Sequence, residues 1–374
     1  MSNLLTREIE SKNIVWFQNS NSYLILEPIV AETISKINTN ISDLEIEKWL
    51  INTIDAPLKQ IKSFLLDVKS IYLENINKST ENEYILNNPE KPDTYFSTKY
   101  YSISNYIFQI QFETEDHEFR IHPVFAHLEI KEISNYHFNY SIFNKDNSIV
   151  FFRNSKFIGC WKKADSHLFV GKVSMYLLID IYKKPEKDWL GVFHASAVSN
   201  DKEAVLFLGD SGNGKSTSLA LLNANGYNCI ADDFVPIDNQ KRIHTYPAAI
   251  SIKKNSVSTL LPFYPELEKS AEYHLKSLNK VVRYLPNKKI DYQQKLKCKA
   301  LVFIKYQKES EIEINTITKI EAFQQLVPDS WISPLKENAS FFLDWFLELP
   351  CYQLTYSNNK KMIEIVSKIF NDEL

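Results

Sequence analysis

Seven glycines serve the 374-residue chain, and three of them, Gly209, Gly212 and Gly214, fall within six positions. They belong to Gly209-Asp210-Ser211-Gly212-Asn213-Gly214-Lys215-Ser216-Thr217. This fits the phosphate-loop spacing G-x-x-x-x-G-K-[ST]. A chain so sparing with glycine places it where backbone must turn sharply or approach something closely. An apolar run, Ala204 to Leu208, precedes the loop and reads as a buried strand. A helical stretch from Ser216 to Asn225 follows, with Gly226 as its stop. Strand, loop and helix together aim free backbone N–H groups and the positive helix end at an anion. Lys215 would reach the β- and γ-phosphates of a nucleotide, Ser216 would bind Mg²⁺, and Thr217 would lie near the α-phosphate. The alternative is a glycine turn before a core helix that binds nothing.

A second cluster lies one short strand further on. Tyr227 to Ala231 leads into Asp232-Asp233. Two adjacent carboxylates at a strand end need a cation or a proton between them. One acid for a metal and one to take a proton from an attacking hydroxyl is what Mg·ATP chemistry requires. A turn opening the hairpin Val235 to Tyr246 is the plainer reading of the same residues. Upstream, His194 sits in Val192-Phe193-His194-Ala195-Ser196, just before the loop's own strand. On its own it reads as structural.

With histidine, loop, helix, glycine and Ala231-Asp232-Asp233 in this order, the chain resembles HPr kinase/phosphorylase and its kinase-like relatives. The strong likeness covers about a sixth of the chain, and weaker similarity extends to about residue 330. The resemblance implies an α/β P-loop kinase core of the kind shared with phosphoenolpyruvate carboxykinases, not that of ordinary nucleotide kinases. It implies ATP-dependent transfer to a serine-type hydroxyl. Asp233 would match the catalytic acid/base, Asp232 would lie at the metal, and His194 would lie near the phosphates. The loop here ends Ser216-Thr217 where the family has Ser-Glu, and the family's downstream arginine-glycine signature is missing. Kinase activity carries over; reverse phosphorolysis and HPr as acceptor stay open. Lys280 and Arg283 fall where the kinase-like relatives often carry a basic strand near the phosphates. One of them, Arg283 foremost, is expected to stabilise charge, with a solvated strand face as the alternative.

The N-terminal stretch reads differently. Asn13 to Phe17 and Tyr23 to Leu26 form two short strands around a turn. A helix starts at Pro28. Ser42-Asp43-Leu44-Glu45 is a capping box for a second. A third carries Leu58, Ile61, Leu65, Val68 and Ile71 at helical spacing. This winged-helix-like α+β pattern over residues 10 to 75 resembles the PqqD family, the precursor-peptide recognition domain of peptide-modifying enzymes. The resemblance implies that a leader peptide adds as a strand to a sheet edge. A structural or dimerising domain is the alternative. Lys59, Lys62 and Lys69 are mixed with acids, which argues against nucleic-acid binding.

The expected organisation is residues 1–75 as the peptide-recognition domain, 76–93 as a polar linker, and 94–374 as the catalytic part. The last divides into a β-rich flanking segment, 94–185, and the phosphate-loop core, 186–374. In the β-rich segment aromatic and β-branched residues alternate with polar ones, as in Tyr106 to Phe112, and should continue the core's sheet. A helix over 173–183 should follow. His117, His122 and His127 recur every five residues, but Pro123 keeps them from stacking on one helix face, so they make a poor metal site. Residues 255 to 295 lack periodicity, leaving room for a substrate lid.

Composition limits the alternatives. A hydrophobic content of 44% suffices for real cores, and a net charge of −3 offers no field for nucleic acid or an anionic membrane. The four cysteines are scattered without zinc spacing, and the N-terminus carries charges and no apolar signal core. A cytoplasmic protein with no membrane partner is expected. The expected cofactors are ATP and Mg²⁺ and the expected partner is a precursor peptide. A small-molecule kinase and a non-enzymatic ATP-sensing adaptor remain as alternatives, and a homo-oligomer stays open.

Overall fold

The computed structural model describes residues 3–78, 89–275, 280–288 and 290–374. Its architecture is mixed α/β. A ten-stranded sheet forms the central layer. From one edge its order is Asn228–Asp232, Ser196–Ser199, Glu203–Leu208, Lys295–Tyr306, Arg242–His244, Val235–Asp238, Trp189–Phe193 and Ser330–Ile332. Lys295–Tyr306 is long enough to fork. Its first residues pair with Arg242–His244, and its second half pairs in parallel with Cys351–Tyr356, which carries Glu313–Thr316 at its side. Glu203–Leu208, Lys295–Tyr306 and Cys351–Tyr356 are mutually parallel, so their C-terminal ends share one rim.

These strands read as continuous apolar runs because both faces are covered. Leu206 and Leu208 belong to one core with Leu301 and Phe303. Val205 and Phe207 alternate onto the other face, under Leu219, Leu222, Met362 and Val366 of helices Lys215–Ala224 and Asn359–Phe370.

The β-rich segment does not continue the central sheet. It makes its own six-stranded sheet, with Tyr106–Phe112 and Phe138–Lys145 parallel at its middle. Alternation shows which face of a strand is buried but not which neighbour it pairs with, and here helix Ser166–Tyr182 separates the two sheets in sequence. That helix starts seven residues before its expected position. Its buried Asp180 accepts a hydrogen bond from the Tyr140 hydroxyl at 2.6 Å and pairs with the Arg153 guanidinium. Helix Glu115–Phe125 was not expected and contains Pro123. The proline sits in the last turn, where a missing N–H removes a single helical bond. His117 and His122 point to separate partners, Asn144 and the Tyr101 hydroxyl.

The N-terminal part has three strands rather than two: Leu4–Ile9 pairs with Lys12–Phe17, which pairs with Ser22–Leu26. Helices Pro28–Asn38, Asp43–Thr53 and Leu58–Asn77 cover it, and the Ser42/Glu45 capping box is formed. The expected linker falls partly on residues 79–88, outside the described residues. Residues 250–285 contain a small sheet of Ile250–Lys253, Lys280–Leu285 and Tyr273–Leu275. Residues 276–279 and 289, within the stretch considered for a lid, also lie outside the described residues. Among the described residues no helix is long and apolar enough to cross a membrane.

The N-terminal unit is seated on helix Lys336–Glu348. Arg7 donates to Asp344 at 2.8 Å and to the Ser340 hydroxyl at 2.7 Å, and the Asn21 amide donates to the Ile332 carbonyl at 2.8 Å. The Tyr23 ring meets Phe342 edge-on at 5.5 Å, and Phe342 stacks on Phe193 at 5.9 Å. Phe342 is fully buried. Phe342→Ala should therefore cost about 3–5 kcal/mol in urea unfolding of the full chain. Leu66→Ala, at a side chain 68% exposed, should stay within about 0.5 kcal/mol. Equal effects at the two sites would refute this seam.

Candidate functional site

Strand Glu203–Leu208 delivers the glycine loop to the rim, and helix Lys215–Ala224 leaves it. Gly209, Gly212 and Gly214 take φ of +126°, +114° and +96°, a region that side chains rarely enter. At Gly214 a Cβ would meet the Tyr356 hydroxyl at 2.9 Å. The loop is thus pressed against its neighbours, and the Asn213 carbonyl accepts the Tyr306 N–H at 2.9 Å. Asp210, Ser211, Gly212, Gly214, Ser216 and Thr217 all line one open cleft. Lys215, only 6% exposed, folds back so that its ammonium donates to the Gly209 carbonyl at 2.5 Å. Strand, loop and helix end together form a cradle for an anion.

Asp232 ends strand Asn228–Asp232 and is 2% exposed. One carboxylate oxygen accepts from the Ser196 hydroxyl at 2.6 Å and the Ser216 hydroxyl at 3.1 Å; the other accepts from the Ser251 N–H at 3.0 Å. These partners are all neutral. Burial, with the Asp233 charge adding to it, pushes the Asp232 carboxyl up to about 7, while the three hydrogen bonds pull it down. A buried carboxylate beside a hydroxyl supplies two hard oxygen ligands and lacks a counter-charge, which suits Mg²⁺ completed by water and phosphate oxygens. Among the described residues no three His, Cys, Asp or Glu side chains gather as a metal cage. A magnesium shared with a nucleotide needs none.

His194 and Asp233 meet by a shared bend. Trp189–Phe193 and Ser196–Ser199 form one chain path, Asn228–Asp232 and Val235–Asp238 another. The two run antiparallel, with Phe193 opposite Val235 and Ser196 opposite Asp232. Both paths break at the same level. His194 and Asp233 occupy the breaks, with His194 Nδ1 3.8 Å from Asp233 Oδ1. Asp233 adopts φ +61°, which Asp tolerates better than most residues. Both side chains are partly exposed and line the same cleft as the loop. The two aspartates therefore differ in environment: Asp232 faces inward onto hydroxyls, Asp233 outward into the cleft.

The basic strand divides. In Lys280–Leu285 side chains alternate between faces, so residues three apart point oppositely. Lys280 reaches the loop, donating to the Ser211 hydroxyl at 2.8 Å. Arg283 does not. Its guanidinium donates to the carbonyls of Leu267, Glu268 and Ser270 and pairs with Glu272 at 3.0 Å, so its position is that of a brace for the 267–272 turn. Lys253 is opposite Val282, on the Lys280 face, and donates to the same Ser211 hydroxyl at 2.9 Å. Burial, with Lys280 and Lys215 nearby, pulls the Lys253 ammonium down. Ser196, Ser251 and Lys253 escaped the reading of the sequence. Each lies in a strand whose pairing brings it to the site, and only Ser196, two residues after His194, had any local signal.

Compared with protein-family models the chain matches none, and no curated protein matches it significantly.

The raised Asp232 carboxyl has a definite sign. Between about pH 4, where a free aspartate ionises, and about 7 the folded protein holds a proton that the unfolded chain has released. Without metal, stability from this group should be full below that window and fall as pH rises through it, by on the order of 2–4 kcal/mol. Urea midpoints measured in a chelator from pH 5 to 8 should show this fall, and Asp232→Asn should flatten it. Parallel curves for the two proteins would remove Asp232 as its source.

Proposed function

We propose that the protein is a Mg·ATP-dependent kinase acting on a serine- or threonine-type hydroxyl, and that the acceptor is a ribosomally made precursor peptide whose leader is held by residues 10–75. The observation that carries the reading is the Ser216–Asp232 contact at the start of the loop helix, with Asp233 and His194 facing the same cleft.

In this reading the backbone N–H groups of residues 211–216 hold the phosphates. Lys215 exchanges the Gly209 carbonyl for phosphate oxygens and offsets the charge that moves. Ser216 and Asp232 would hold the metal, which when bound supplies charge neutralisation on the phosphates. Asp233 accepts the proton of the attacking hydroxyl as that oxygen bonds to the γ-phosphorus and the bond to ADP breaks. His194 lies next to Asp233 and helps to orient it. Lys253 and Lys280, both resting on the Ser211 hydroxyl, add positive charge at the loop for the phosphates. Arg283 has no part in the transfer.

For the peptide, strand Ser22–Leu26 has one paired strand neighbour among the described residues. Tyr23 and Ile25 face the catalytic body, while Leu24 and Leu26 face the N-terminal helices. Both faces are covered and one edge is left for strand addition.

Co-expression with the small open reading frames beside its gene, followed by mass spectrometry, should show phosphate added to a serine or threonine of one product. Asp233→Asn should lower transfer roughly a hundredfold or more while Mg·ATP still binds in calorimetry. Lys215→Ala should weaken the binding itself. Near-normal transfer by Asp233→Asn would remove Asp233 as base. Stoichiometric ATP binding with no phosphate reaching any peptide or metabolite would make the protein an ATP-sensing adaptor.

A further inference from the structure

The Ser216–Asp232 pair fixes which end of a bound triphosphate lies where, and that orientation sends the nucleoside in one direction. Asp232 and Ser196 belong to the two strands on one side of Glu203–Leu208, and Asp233 directly follows Asp232, with His194 beside it. Ser251 and Lys253 stand on that side too, through the Ser251 N–H on Asp232. With the metal and terminal phosphate held there, the chain of phosphates leads away from it. On the opposite flank of Glu203–Leu208 lies the parallel strand Lys295–Tyr306.

The register places Leu208 opposite Phe303. Tyr306 therefore stands three residues above Leu208, the last strand residue before the glycine loop, a climb of about 10 Å along the strand. It rises beside the loop and does not lie under it. Its N–H binds the Asn213 carbonyl, and its Cβ would lie 3.3 Å from a Cβ on Gly214. The side chain is 46% exposed. Tyr356, 1% exposed, meets it edge-on at 5.5 Å and is itself anchored by its hydroxyl on Ser218 at 2.8 Å. A large aromatic ring is thus held beside the phosphate cradle, at the carboxyl ends of parallel strands, where open α/β sheets take their ligands.

We propose that Tyr306 is the stacking platform for the base of the bound nucleotide. The inference rests on the phosphate-loop reading and adds to it a second subsite, aromatic and uncharged. Ring stacking is tolerant of base identity, so this subsite selects a nucleotide over bare polyphosphate and does not by itself select adenine over guanine.

Calorimetry on the full-length protein with magnesium, titrating ATP and, separately, inorganic tripolyphosphate, tests it. Wild-type protein should bind ATP the more tightly. Tyr306→Ala should weaken ATP by about tenfold and leave tripolyphosphate unchanged, and Tyr306→Phe should keep wild-type affinity for both. The unchanged tripolyphosphate affinity also shows that the loop has kept its shape. If Tyr306→Ala weakens both ligands equally, or leaves ATP untouched, the platform is refuted while the loop still stands. If wild-type protein binds neither ligand, the phosphate-loop reading fails and the platform fails with it.

Discussion

The site is organised by a carboxylate that has been taken out of water without a charged partner. Asp232 is held by two hydroxyls and one backbone N–H. Three neutral donors do not replace the hydration an ionised carboxylate loses on burial, so the group keeps a proton or takes a cation. This single deficit links the elements around it. Ser196 comes from the neighbouring strand, Ser216 from the loop helix and Ser251 from the small sheet that also brings Lys253. Moving any of the three would alter the position or charge of the one acid they share.

Opposite charge demands are met within a few residues of one another. Lys215, Lys253 and Lys280 converge on the loop, with the latter two sharing one serine hydroxyl. Ammonium groups so close raise each other's free energy, and at Lys253 burial, with Lys280 and Lys215 adding to it, pulls the ammonium down. An anion entering between them relieves that repulsion, just as a cation relieves Asp232. The protein without ligand therefore stores two electrostatic imbalances of opposite sign at neighbouring points. A magnesium-bound polyphosphate would answer both at once.

Much of the loop's immediate setting was legible because it is local. Strand Glu203–Leu208, helix Lys215–Ala224 and strand Asn228–Asp232 follow from apolar runs, glycine placement and a helix stop, all within thirty residues. The capping box at Ser42 is equally local. What escaped depends on pairing over long distances. Period-two alternation says that Lys280 and Arg283 face opposite ways, but not which of them faces the loop. Ser196 gains meaning only because its strand lies against Asp232, and Lys253 only because its strand lies against Lys280–Leu285. The separate six-stranded sheet and the first strand, Leu4–Ile9, were missed for the same reason. Their residues have ordinary strand composition, and sheet membership is decided by partners far along the chain.

The seat of the N-terminal unit has a consequence for how such a protein can be rearranged. Tyr23, Phe342 and Phe193 form a continuous aromatic contact from the first sheet to the strand that leads into His194. Ile9 and Ile14 are buried in the same cluster as Phe193, Leu206 and Phe303 of the central sheet. The first unit is therefore not a cassette on a tether. Grafting it onto another protein, or trimming it away, would expose a hydrophobic scar on both pieces. Any recombination of the first unit would have to carry helix Lys336–Glu348 along with it.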